Sequence, residues 1–206
     1  MAMQVEVSEL SGSRLDAVRP ALAAIYENSF PADEREAFAT TFDGAASHTV
    51  LGAFAQGDLV GFADVFGIGN REVLLRYLAV SEQHRSHGIG ATLLAEIAQR
   101  WRERADRLIF EVESPPDAPD AGLAARRIGF YERWGAHQVR CIDGYFYPST
   151  LDISQALPVL LFEWHPAGEC LSACRLRDTL RRLYHYCYGA EAAGYHLDNL
   201  LSRVIC

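Results

Sequence analysis

The stretch YLAVSEQHRSHGIGATLLAEIAQRW, residues 77–101, passes from a nearly continuous apolar run to an amphipathic helix through Arg85-Ser86-His87-Gly88-Ile89-Gly90. Residues 71–80, REVLLRYLAV, end without the polar alternation of a half-exposed strand, so this strand belongs in the middle of a sheet. The helix that follows carries one apolar stripe, Leu93, Leu94, Ile97, Ala98 and Trp101, with Glu96, Arg100, Arg102 and Glu103 facing elsewhere. A central strand handing over at once to an amphipathic helix is half of a βαβ unit, which commits the chain to an α/β architecture. At such a handover the backbone N–H groups of the turn and of the first helical turn lack partners and point the same way. Gly88 and Gly90 keep that backbone bare, so the junction is a candidate cradle for an anion such as a phosphate. Glycines at a strand-to-helix turn also serve plain turn chemistry, and the motif alone leaves both readings open.

The rest of the chain supplies elements around this unit. Leu15, Val18, Leu22, Ile25 and Tyr26 recur at helical steps between residues 13 and 27. SFPADERE is expected to restart a helix, with Pro31 in its first turn. TVLGAFAQ and LVGFADVF are two strand runs separated by Gly57-Asp58, a hairpin signal, and GIGN at 67–70 is a turn. LIFEVE, residues 108–113, is a strand. The proline-rich SPPDAPDAG precedes a helix from about 123 to 134. AHQVRCI and ALPVLLFEW are expected strands, DGYFYPS between them a loop, and RLRDTLRRLYHYCYG a helix. These elements are expected to form a single α/β domain, with a core of about residues 5–165 and a C-terminal helical extension of about 166–206.

Composition narrows the partners. With 206 residues the chain can bury a full core without a metal or disulfide staple. The net charge is 19 − 27 = −8, and all nineteen basic residues are arginine, because the chain has no lysine. An acidic chain without a basic stripe is a poor partner for nucleic acid, whereas amine-bearing partners suit its field. No run approaches the roughly 18–20 apolar residues of a membrane span, and the N-terminus lacks a signal pattern. The expectation is a cytoplasmic protein with no membrane partner. The five cysteines, Cys141, Cys170, Cys174, Cys187 and Cys206, are expected to be reduced. The spacing of Cys170 and Cys174 matches no familiar zinc pattern, so no metal is expected.

The run Arg85-x-x-Gly88-x-Gly90 after the strand YLAV resembles the acetyl-CoA-binding signature of the GCN5-related N-acetyltransferase (GNAT) superfamily. Further along, IGFYERWGA at residues 128–136 is similar to that family's second hallmark, an aromatic pair and a glycine leading into the next strand. The resemblance spans residues 50–164. It implies a GNAT-like mixed, twisted central sheet flanked by helices, with the C-terminal helix added, and acetyl-CoA as co-substrate. It implies that the backbone of Ser86, His87, Gly88, Ile89, Gly90 and Ala91, with Arg85 beside it, holds the pyrophosphate. Main-chain groups of Leu78 and Val80 would pair with the pantetheine arm. It further implies direct transfer to an amine in a ternary complex, with Tyr131 beside the departing sulfur. The chain departs from the family at Ala124, where an asparagine is common, and at Arg127, where a small residue is.

An amine acceptor arrives as an ammonium ion and must lose a proton before attack. Glu111 and Glu113 alternate with Phe110 and Val112 and share one face of their strand. Glu72, Glu27 and Glu34 are further carboxylates, each equally suited to a salt bridge. Glu113, at the strand's end before a loop, is the favoured base. Tyr145, Phe146 and Tyr147 could wall an acceptor pocket or pack a loop, and Phe30 could line the acceptor side or anchor the core. His84 and His87 are expected to be solvent-facing. The expected acceptor is a small-molecule amine. A protein N-terminus or lysine, and a non-catalytic acyl-CoA-binding regulatory module, stand as alternatives, and a homodimer is left open.

Overall fold

The computed structural model describes residues 4–42 and 48–205, so Cys206 lies outside the described residues. Two compact units are distinguished: the chain through Gly67 together with Leu75–Glu103, and Ile68–Leu74 together with the chain from Arg104 onward. The described residues form eight strands flanked by helices.

The first unit begins with a strand the periodicity reading overlooked. β1 (Val5–Glu9) runs antiparallel to β2 (His48–Ala55), with Val5 opposite Ala55 and Glu9 opposite Leu51. Its signal was the alternation of Val5, Glu6 and Val7, too short to weigh against the helix after it. α1 (Gly12–Ser29) buries Leu15, Leu22, Ile25 and Tyr26. The expected second helix in SFPADERE is absent. Residues 31–37 form turns instead, and a short α2 (Phe38–Thr41) follows. The physical reason is that Phe30 precedes Pro31 and is extended, at φ −126° and ψ 132°. Side chains then satisfy the loop backbone: Arg35 donates to the Phe30 carbonyl, Tyr26 Oη to that of Glu36, and the Glu36 N–H to Tyr77 Oη.

β2 and β3 (Asp58–Gly69) form the expected hairpin. Its turn is Gln56-Gly57, both with positive φ, one residue earlier than the Gly57-Asp58 reading. β3 continues through Gly69, so the next turn falls at Asn70-Arg71, past the expected 67–70. β4 (Glu72–Val80) follows and leads to α3 (Ile89–Trp101), which buries Ile89, Leu93, Leu94 and Ile97. A Cβ on Gly61 would come 2.9 Å from the Ala79 carbonyl, so the glycine lets β3 approach β4. The core of this unit gathers Leu22, Tyr26, Phe42, Phe62 and Tyr77, with Tyr26 and Tyr77 edge to face at 4.9 Å. Phe30 packs edge-on against Tyr77 at 4.8 Å, a core contact.

In the second unit β5 (Arg107–Glu113) pairs antiparallel with β8 (Ala156–Trp164), which also carries β6 (His137–Gln138) and β7 (Phe146–Pro148). The expected strand AHQVRCI is thus cut to two residues and a strand appears within DGYFYPS. After Val139 N–H meets the Leu161 carbonyl, the chain leaves β8 and is held by the C-terminal end. The Ile205 N–H donates to the Cys141 carbonyl, and the Asp143 N–H to that of Arg203. α4 (Ala121–Arg133) is capped by Asp120, which accepts from the Leu123 N–H, and ends at Gly135 with φ +93°. The C-terminal extension is two helices, α5 (Ala173–Leu183) and α6 (Gly189–Ser202), joined by a π turn (Tyr184–Tyr188). Its first helix clamps the start of β4: the buried carboxylate of Glu72 accepts from Arg182 at 2.6 Å, Thr179 at 2.7 Å and Arg175 at 3.1 Å.

Candidate active site

In the first unit the structure gathers all the residues expected to cradle an anion. After β4 a 3-10 turn (Glu82–His84) is fastened by Ser81 Oγ and His84 Nδ1 at 2.8 Å. The backbone then alternates hand, with Ser86 at φ 66° and Gly88 at φ 81°. Such alternation turns successive N–H groups toward one point. Gly88 is the N-cap of α3, and no side chain caps that helix. The first helical N–H bond is from Thr92 to the Gly88 carbonyl at 3.0 Å, while the N–H groups of residues 86–91 have no acceptor among the described residues. Six backbone donors are therefore left open at the start of α3, where the helix dipole favours negative charge.

Neighbouring side chains shape the loop without filling it. His87 Nδ1 lies 2.8 Å from the Arg85 carbonyl, and Arg85 Nε donates to the Val80 carbonyl at 3.3 Å. Residues 85–88 are exposed, and a Cβ on Gly88 would meet nothing within 4 Å. Open space and bare backbone suit a diphosphate, so the residues present fit the phosphate end of a CoA thioester. Leu78 and Val80 are half-buried and alternate with the buried Tyr77 and Ala79.

In the second unit the two carboxylates of β5 have different surroundings. Glu113 is held by Arg127 Nη1 at 2.7 Å, an ion pair with both partners partly exposed. Arg127, at the position where the chain departs from the GNAT pattern, is thus spent on Glu113. Glu111 accepts from Tyr188 Oη at 2.6 Å and, on the same oxygen, from Tyr145 Oη. Burial, and then the Glu111 charge, push both phenols well above their ordinary range, so both stay protonated donors. The Tyr147 ring lies parallel to that of Tyr188, 6.4 Å away. Tyr188, on the π turn, is a participant the sequence reading missed. Only its place in an aromatic-rich run could have pointed to it.

Tyr131 packs its ring on Phe110 at 4.5 Å and on Phe130 at 5.1 Å. Its hydroxyl has no hydrogen-bond partner among the described residues, and burial pushes its pKa up to about 12. A phenol in that state is a proton donor throughout the neutral range. Of the other carboxylates weighed from the sequence, Glu72 is taken by the buried pairs to α5, and Glu27 is exposed on α1.

Comparison with known proteins gives these features a common setting. Residues 15–135 match the family model described as acetyltransferase (GNAT) family. No curated protein sequence matches the chain significantly. Among solved structures, a GNAT-family protein from Bacteroides thetaiotaomicron superposes with a TM-score of 0.71 at 20% identity, covering 90% of this chain and 99% of its own. The ribosomal-protein-S18-alanine N-acetyltransferase of Escherichia coli gives 0.59 at 19%, covering 82% and 96%. The PaiA N-acetyltransferase of Thermoplasma acidophilum, in complex with coenzyme A, gives 0.53 at 19%, covering 79% and 99%. These likenesses concern the fold. The family match takes in the glycine loop and Tyr131 together, and the chain belongs to the GNAT family of acetyltransferases.

Proposed function

We propose that this acetyltransferase moves the acetyl group of acetyl-CoA to the primary amine of a small molecule, directly and within a ternary complex. The observation that carries the donor half is the set of unpaired N–H groups at residues 86–91, beside the exposed Arg85. These groups bind the pyrophosphate of the CoA thioester, and the main chain of Leu78 and Val80 lies along its pantetheine arm. The amine gives up one proton, through water, to Glu113, which Arg127 must release. Nitrogen then attacks the thioester carbonyl, the C–N bond forms, and the C–S bond breaks with its electron pair on sulfur. Tyr131 donates a proton to that thiolate and is reprotonated by the second proton the nitrogen sheds as the amide forms, while Glu113 passes its proton to solvent. The products are an amide, free CoA thiol and one proton released to solvent.

A cationic acceptor is supported by Glu111. Two phenol donors fix one oxygen of this carboxylate in place, and a positioned carboxylate is a partner for an ammonium group. The net charge of −8 acts in the same sense. A second reading, acetylation of a protein N-terminus, draws on the structural likeness to the Escherichia coli ribosomal-protein acetyltransferase. The enzyme is proposed to work in the cytoplasm, without nucleic acid or membrane as partner; no helix among the described residues is long and apolar enough to cross a membrane. The test is release of free CoA thiol from acetyl-CoA across polyamines, amino sugars and amino-acid amines, run beside N-terminal peptides. Turnover on a small amine is expected. Robust turnover on peptides alone would transfer the assignment to the second reading.

A further inference from the structure

The spacing of Cys170 and Cys174 draws the eye in the sequence, yet the fold gives Cys170 other company. His137 on β6 stands opposite Glu163 on β8 in register. The loop after β8 returns Cys170 to them, so that an imidazole nitrogen, a carboxylate oxygen and a thiol sulfur lie within 4.8 Å of one another. This loop is clamped on both sides of the cysteine: Arg107 Nη1 donates to the Glu169 carbonyl at 2.7 Å, and the Leu171 N–H donates to Glu163 Oε1 at 2.9 Å. Glu163 is itself almost wholly buried, and its second oxygen accepts from Arg107.

One contact in this group is unusual. His137 Nε2 is out of solvent and 3.2 Å from Glu163 Oε1, yet makes no hydrogen bond. The two atoms lie side by side instead of donor to acceptor. Tetrahedral zinc with bonds of about 2.0–2.2 Å to nitrogen and oxygen separates such ligand atoms by about 3.3–3.5 Å, close to the spacing seen. The sulfur belongs to an exposed side chain that can rotate into the longer edge that a thiolate requires.

We infer that His137, Glu163 and Cys170 form a binding site for a zinc ion, with water as fourth ligand, that ties the loop before α5 to β6 and β8. Imidazole, thiolate and carboxylate together suit this borderline-soft ion better than magnesium or calcium. The Leu171 N–H and Arg107 act behind the carboxylate as the outer contacts that orient a ligand. The inference is independent of the acceptor assigned to the enzyme, and it replaces the expectation of a metal-free chain.

The test uses the full chain, reduced and stripped with a chelator, titrated with Zn2+ alone and separately with Co2+. One equivalent of zinc should bind and raise Tm, and cobalt should give a thiolate-to-metal charge-transfer band. Cys170→Ser, at an exposed position, should keep the metal-free Tm and circular dichroism, lose the band and weaken zinc binding by more than about 100-fold. His137→Ala should weaken it comparably, while Cys174→Ser should match wild type. Absence of stoichiometric binding, or wild-type affinity in Cys170→Ser, overturns the inference. So does a Cys141–Cys170 disulfide found by mass spectrometry in the protein isolated without reductant.

Discussion

The glycine junction and Glu111 make their interactions over different distances along the chain. Apart from the Ser81 N–H, which donates to the Val60 carbonyl at 2.9 Å, the groups that shape the junction lie between Val80 and Thr92: the Ser81–His84 contact, the Arg85 bond to Val80, the left-handed Ser86 and Gly88. Glu111 instead takes its hydroxyl partners from Tyr145 and Tyr188, which are 34 and 77 positions away. A site made of backbone can be written by a few adjacent residues, because their φ and ψ fix where the N–H groups point. A site made of side chains waits for distant strands and helices to bring its members together. Changes to the junction should therefore act on one ligand, and changes to the assembled groups should act on catalysis or stability according to who their partners are.

The largest effect expected is from Gly88→Glu. A side chain at φ 81° strains the loop, and its carboxylate repels phosphate where the cradle is open. Wild type should gain Tm with millimolar CoA by mass action, and the variant should show no shift, its ligand-free Tm lower by only the few degrees that the strain costs. A CoA-dependent shift surviving in the variant would break the comparison at its local end. Glu72→Ala tests the opposite kind of site. Removing a buried carboxylate that serves Arg175, Arg182 and Thr179 should cost about 3 kcal/mol, read as a lower urea midpoint, with CoA affinity per folded molecule unchanged.

Tyr131→Phe sharpens the catalytic side. The ring contacts with Phe110 and Phe130 survive, so packing alone predicts near-normal turnover. Loss of the proton donor predicts kcat lower by roughly 100-fold with CoA affinity intact. A kcat within about threefold of wild type, with chemistry shown to limit the rate, removes Tyr131 from the reaction. Its pKa near 12 adds that no falling alkaline limb of kcat below about pH 11 should belong to this group.

The most distributed effect, small for each residue, is on alkaline stability. Tyr26, Tyr77, Tyr131, Tyr145, Tyr184 and Tyr188 all have raised pKa values, with burial as the leading cause. Each holds its proton more tightly folded than unfolded. Their contribution is complete below the unfolded value of about 10 and is lost as pH rises from there through the folded values. Tm should fall by at least about 5 °C between pH 9 and pH 11. A flat profile across that window would count against the burial of these phenols.

Much of the fold was legible in the sequence for local reasons. The apolar stripe of α3, the run that became β8 and the hairpin at Gln56-Gly57 each follow from periodicity or turn chemistry within a dozen residues. The same local logic disclosed the cradle, since Gly88 needs only its own left-handed φ and an uncapped helix after it. The misreadings share the opposite origin. SFPADERE has helical composition, but Tyr26, Arg35 and Tyr77 satisfy its backbone as a loop. AHQVRCI has strand composition, but its second half pairs with residues 203–205 near the chain's other end.

By itself, then, the sequence determined the α/β order of the central elements, the glycine junction and the acidic, lysine-free character of the chain. Neighbouring residues are enough to set backbone conformation and the direction of N–H groups. Only the tertiary structure decided that Glu113 is paired with Arg127, that Glu111 is held by phenols from the loop before β7 and from a π turn, and that His137, Glu163 and Cys170 meet. Those outcomes depend on strand register and on the return of the C-terminal segment, where a shift of one residue sends a side chain to the opposite face.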